Sequence, residues 1–209
     1  MKAVRSILVV VLASLSLALP AAAQPTSSLV RISPWHLAPD VRGLDEDQAT
    51  RVRELWTEFV AGAPAHSVCL LASPPKFVGR SDMAPRAAYA PASATLYVKP
   101  GDLDRLVVFH ELAHHLDFAC GAAEAIGDEL RAAQGIAPGK PWWKDGSPTT
   151  WPAEYFANAV AISLGEHSRH DVSPATVEVV EEWLKATPTV RLAPVLTVGE
   201  PGPDIPRVS

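Results

Sequence analysis

Leu106–Phe118 read LVVFHELAHHLDF, with apolar residues at almost every helical angle and five polar ones among them. Leu106, Val107, Val108, Phe109, Leu112, Ala113 and Leu116 surround such a helix on nearly every side, so it is expected to be buried. Its polar residues, His110, Glu111, His114, His115 and Asp117, then lie inside the protein or along a cleft, where unpaired polar groups are costly. His110 and His114 project from one face a turn apart and can grip a single ion. Glu111 sits about 100° further round, which lets its carboxylate reach a water on that ion without ligating it. The pattern is HExxH, in which two imidazoles bind zinc and the glutamate is the general base for water. Chance alone puts the bare pattern in about 1% of chains of this composition, so its setting must carry the reading.

Working outward, Gly101 and Asp102 are expected to open this helix, with Asp102 as N-cap, Ala119 near the end and Gly121 beyond it. Before it, Arg86–Tyr89 and Ala94–Val98 (ATLYV) read as strands joined by a Pro-containing turn, and His66–Ala72 (HSVCLLA) as a short buried strand. Further back, Asp45 can cap an amphipathic helix whose inner face is Val52, Leu55, Trp56, Phe59 and Val60. Gln24–Asp40 reads as an irregular lead-in. After the central helix, helices are expected over Ala122–Ala133, over Trp151–Leu164 with Thr150 as cap and Pro152 in the first turn, and from Ser173 to about Ala186. The last of these carries Val177, Val180, Trp183 and Leu184 on one face. The loop over Gly135–Thr149 is rich in Gly and Pro and holds Trp142 and Trp143, which could cover substrate but are expected rather to pack against the body. A small sheet, then the HExxH helix, then a helical C-terminal part make the class α+β.

The chain has 209 residues, 48% of them hydrophobic, enough for a real core and against intrinsic disorder. Residues 1–23 carry Lys2 and Arg5, an apolar run over Ile7–Leu19 and small residues around Ala21–Ala23, the pattern of a signal peptide. The run is shorter than the roughly 17 to 25 residues of a spanning helix, so no membrane association is expected after cleavage and the chain reads as secreted or periplasmic. Residues 24–186 are expected to form one domain and 187–209, with five prolines and no periodicity, an extended or disordered tail. The net charge is -5, and -7 without residues 1–23, which argues against a nucleic-acid partner. In an oxidising compartment the only two cysteines, Cys69 and Cys120, are expected to pair.

A third protein ligand is needed. A metzincin would continue with Gly at 117 and His at 120, followed by a Met-turn, but Asp117 and Cys120 stand there and no Met follows Met83. Glu154, in WPAEYFANAVA, is the favoured ligand because it lies in the first turns of another helix with Asn158 one turn on. Asn158 could then accept a hydrogen bond from a ligating imidazole. Glu124, Glu129, Asp117 and Cys120 remain alternatives. Asp117 reads as a supporting partner behind the ligands or at the helix end, and His115 as a hydrogen-bonded neighbour pointing away from the ligand face.

HELAHHLD over 110–117 followed by PAEYFANAVA over 152–161 resembles the zincins with a glutamate third ligand (gluzincins). Among them it is similar to the catalytic domain of lethal-factor-type peptidases and to Mlc titration factor peptidases, over roughly Tyr89 to Leu164. The resemblance implies a zincin-like fold and Zn²⁺ held by His110, His114 and Glu154, with Glu111 as general base. It also implies an edge strand near Ala94–Val98 that pairs with an extended peptide or protein substrate. Two departures stand out: no Tyr lies between Gly135 and Trp151 to steady an oxyanion, and Asn158 replaces an acid. Tyr155, His167 and His170 are the remaining candidates for the first role, each more simply read as surface. The function expected is therefore a secreted zinc metallopeptidase. The alternative is a non-catalytic secreted binding module that keeps the zincin fold, and hydrolysis of a non-peptide amide fits the same residues.

Overall fold

The computed structural model describes residues 38–143, 150–167 and 171–186. The expected leader over 1–23, most of the lead-in, His170 and the tail over 187–209 lie outside the described residues. Four short strands precede the central helix: β1 (Asp40–Arg42), β2 (Lys76–Gly79), β3 (Ala87–Ala90) and β4 (Thr95–Val98). They form one mixed sheet in the order β1-β2-β4-β3, parallel except for β3 against β4, where Tyr89 faces Leu96. Six helices complete the described residues: α1 (Glu46–Gly62), α2 (Ser67–Ala72), α3 (Arg105–Cys120), α4 (Ala122–Gln134), α5 (Pro152–Ser163) and α6 (Pro174–Lys185). The class is α+β, mostly helical, with the sheet ahead of the HExxH helix and a helical C-terminal part.

Several expectations need correction. His66–Ala72 is not a strand: a 3₁₀ turn over Pro64–His66 leads into α2. The sheet gains two strands instead, β1 and β2, of which β1 begins at the last residue of the lead-in. The Ala94–Val98 segment is not at the edge, because β4 lies between β2 and β3. The N-cap of α3 is Asp104, whose side chain accepts from Val107 N–H at 2.9 Å, whereas Asp102 is tied to Arg86. Trp151, not Thr150, precedes α5 and supplies no side-chain cap.

Local chemistry explains the remaining boundaries. Asp45 and Gln48 form a reciprocal capping box at the start of α1. Ser173 caps α6 through Thr176 N–H. Gly121, at φ 74°, ends α3 in the left-handed conformation and hands the chain at once to α4.

The core sits around α3, whose Val108, Phe109, Leu112, Ala113 and Leu116 are fully buried while Phe118 stays 46% exposed. Phe59 of α1 meets Phe109 edge to face at 5.3 Å between ring centroids. The strongest helix pairing is α3 with α5, whose Ala153, Ala157 and Ala161 are fully buried. Such small side chains at a helix contact let two axes approach closely, and that brings the start of α5 against the middle of α3.

Candidate functional site

Two helices supply the site. His110 and His114 lie one turn apart on α3, with ring centroids 4.8 Å apart and planes at 89°. From the first turn of α5, Glu154 reaches both: Oε2 is 3.2 Å from His110 Nε2 and Oε1 is 3.5 Å from His114 Nε2. One ligand atom from each of the three residues lies within 4.8 Å of the others, so the trio could hold a metal ion. His114 is buried, while His110 and Glu154 keep 18% and 16% side-chain exposure and so open the site on one side. Glu124, Glu129, Asp117 and Cys120 are not part of this trio.

The electrostatics follow from the packing. Burial lowers the pKa of His110, but its hydrogen bond to Glu154 and the charges of Glu111 and Glu154 outweigh it, and the net direction is up. His114 is held well below the ordinary histidine value, by burial first and then by the charge of His110. It is therefore neutral, the form that ligates. Asn158 is the expected partner of His110: its side chain hydrogen-bonds the imidazole, while its Nδ2 donates to the Glu154 carbonyl at 2.7 Å. The bond to the imidazole favours the protonated ring, so the amide oxygen is the acceptor presented to His110.

Glu111 stands beside the trio without joining it. Burial pushes its carboxyl up to about 7, the charge of His110 opposes this, that of Glu154 adds to it, and a hydrogen bond from the Tyr89 backbone N–H opposes it again. The edge strand next to α3 is thus β3, and its outer side leads to Glu111.

Of the two roles expected of Asp117, its bonds match the one at the helix end. Its Oδ1 accepts from Ala123 N–H at 3.0 Å at the start of α4, and its Oδ2 accepts from Trp142 Nε1–H at 2.5 Å. Trp142 in turn gives its carbonyl to Ala153 N–H and its ring to Phe156. The segment so fixed lays Trp143 edge-on against His114, with centroids 4.8 Å apart, and against Phe118. Trp143 beside His114 fits the cover over substrate that the loop could form, a choice the sequence leaves open because a loop tryptophan can face anywhere.

His115 points away from the trio. Its Nε2 donates to the Ser73 carbonyl at 2.8 Å, and its Nδ1 accepts from the Tyr89 hydroxyl at 3.1 Å. Tyr155 is half-buried against the core and His167 is exposed, and neither belongs to the trio.

Cys69 and Cys120 form the expected disulfide, joining α2 to the last residue of α3. No helix among the described residues is long and apolar enough to cross a membrane. Comparison with protein-family models, with curated proteins and with solved structures finds no match to this chain.

Proposed function

We propose that this chain is a secreted zinc metallopeptidase of the zincin type with a glutamate ligand, in which His110, His114 and Glu154 hold Zn²⁺ and Glu111 is the general base. The observation that carries the reading is the convergence of two Nε2 atoms from α3 and a carboxylate from α5, with an unliganding carboxylate one residue past the first histidine. The donors fit the ion. Ligand atoms on one tetrahedral zinc, at ~2.0 to 2.1 Å from it, are separated by roughly 3.3 Å, and the two observed nitrogen to oxygen distances are 3.2 and 3.5 Å. Three protein donors leave a fourth position open, the arrangement of catalytic rather than structural zinc.

When bound, the ion supplies Lewis acidity, making water a better acid and a carbonyl a better electrophile. The remaining work falls to this chain. Glu111, with its carboxyl raised to about 7, takes a proton from the attacking water and returns it to the leaving amine. The Tyr89 N–H holds that carboxylate in place, and Asn158 holds His110. Apart from the Tyr89 N–H that Glu111 holds, the outer edge of β3 offers backbone groups to an extended peptide beside the site. The disulfide and the leader-like N-terminus support export.

Zinc content of the purified protein, measured by elemental analysis beside Glu154→Ala, tests the ligand set. Near-stoichiometric zinc is expected in the parent and loss in the variant. Glu111→Gln is expected to keep its zinc and to lose peptide-library cleavage by at least about a hundredfold. A parent that neither carries nor takes zinc leaves the trio as an internal ion pair and gives the chain to the binding-module reading. An active Glu111→Gln protein removes the mechanism.

A further inference from the structure

The Cys69–Cys120 disulfide lies against a second buried histidine. His66 is 1% exposed. Its Nε2 lies 2.9 Å from the Trp183 carbonyl oxygen, and its ring rests on the Trp183 indole with centroids 3.9 Å apart. A carbonyl only accepts, so Nε2 carries the proton and Nδ1 is the lone-pair nitrogen. That Nδ1 is buried without a hydrogen-bond partner. A ring nitrogen of His66 and the sulfurs of Cys69 and Cys120 all lie within 4.8 Å of one another.

We propose that reduction of the disulfide turns Cys69, Cys120 and His66 into a second metal site, which takes a thiophilic d¹⁰ cation of the zinc class through two thiolates and Nδ1. The imidazole is prepared for this. Its tautomer is fixed by a backbone carbonyl on the other nitrogen, as ligating histidines require, and burial keeps the ring neutral. Two thiolates select a soft or borderline ion over the hard cations. An ion bound there also gives Nδ1 the partner that the oxidised state withholds.

The chemistry balances. A dithiol reductant passes two electrons and two protons to the sulfur–sulfur bond and leaves as its own cyclic disulfide, and the protein gains two thiols. The cation then displaces both thiol protons into solvent, while His66 contributes its lone pair. The sulfurs settle roughly 3.8 Å apart, as two bonds of ~2.3 Å to a tetrahedral ion dictate. Both cysteines are half-buried rather than sealed, so a small dithiol can reach them. The same atoms cannot hold the bond and the ion, so redox state decides whether α2 joins α3 covalently or through a metal.

The test uses the full chain, reduced with dithiothreitol, desalted without oxygen and titrated with Co²⁺. Thiolate bonds to Co²⁺ give an intense near-ultraviolet charge-transfer band. The trio of His110, His114 and Glu154 contains no sulfur and contributes none, so this outcome is independent of the proposed hydrolase. The band is expected to saturate with an equimolar amount of Co²⁺ in the reduced chain, to be absent from the oxidised chain, and to vanish on adding Zn²⁺. His66→Phe, which keeps a ring against Trp183, is expected to weaken Co²⁺ binding at least about tenfold. A reduced chain with its native circular dichroism and no band overturns the proposal. So does unchanged affinity in His66→Phe, and so does unfolding on reduction, because the site requires α2 and α3 to stay packed.

Discussion

The polar side chains on α3 are partnered in different ways, His114 Nδ1 being buried without a hydrogen-bond partner, and those differences decide the role of each. His110 and His114 share Glu154, Glu111 takes the Tyr89 N–H, His115 is fixed between Tyr89 and Ser73, and Asp117 joins α4 to Trp142. Asp117 gives a pH test that is separate from the metal trio. Burial raises its pKa to about 6 from the ordinary 3.8, the bonds from Trp142 and Ala123 oppose this, and the charge of Glu124 adds to it. A carboxyl raised in the folded state binds more protons folded than unfolded between those values. Its contribution to stability is therefore complete below the unfolded pKa and is lost as pH rises through the folded one. At 1.36 kcal/mol per unit, this amounts to about 3 kcal/mol. Asp117→Asn cannot ionise, so the stability of the parent relative to this variant is expected to fall by about that amount from roughly pH 3.5 to pH 7, measured by urea unfolding across the range. A pH-independent difference between the two proteins contradicts it.

At the level of elements, what could be read from the sequence was what depends on near neighbours. The i, i+4 histidines, the Asp45 cap and the Gly121 terminus are settled within a turn or two, and all three stand as expected. The α3 cap shows where this stops. Asp102 and Asp104 are equal candidates locally, and the choice is made by Arg86, sixteen residues from Asp102, which engages both while leaving Asp104 Oδ1 to Val107. HSVCLLA is an apolar run with no period to distinguish strand from helix, and its helical state follows from the Pro64 turn and from the partners of His66 and Cys69. β1 and β2 went unread because three- and four-residue strands carry little pattern, and their parallel pairing joins residues 36 apart. The edge strand that the resemblance implies at Ala94–Val98 is instead flanked by β2, which leaves β3 at the edge. One contact in that pairing is sharply testable: a Cβ on Gly79 would overlap the Gly43 carbonyl oxygen and the Leu44 side chain, and Gly43 itself is at φ 67°. Backbone cannot yield as a flexible side chain does. Gly79→Ala is therefore expected to destabilise by about 1 to 3 kcal/mol, seen as a lower denaturant midpoint with an unchanged slope.

For the described fold taken together, the relevant question is which constraints hold the site and which only hold the chain. The trio depends on α3 packing against α5, and the disulfide ties α3 to α2 instead. His114 and Cys120 are six residues apart on one helix, about 9 Å along its axis at 1.5 Å per residue, so loss of the crosslink does not move the ligands directly. Its effect is on the unfolded chain. Cys69 and Cys120 are 51 apart in sequence. By the chain-entropy model a loop of that length contributes about 4 kcal/mol. At ~2 to 4 °C per kcal/mol for a chain of this size, the double variant Cys69→Ser, Cys120→Ser is expected to melt roughly 8 to 16 °C lower. A total stability of ~5 to 15 kcal/mol leaves it folded at room temperature, where its zinc content is expected to match that of the parent. Calorimetry and elemental analysis on the same preparation separate the two effects. Zinc lost together with the melting temperature means that the α2 to α3 link positions His110 and His114, whereas zinc retained at a lower melting temperature leaves that positioning to α5.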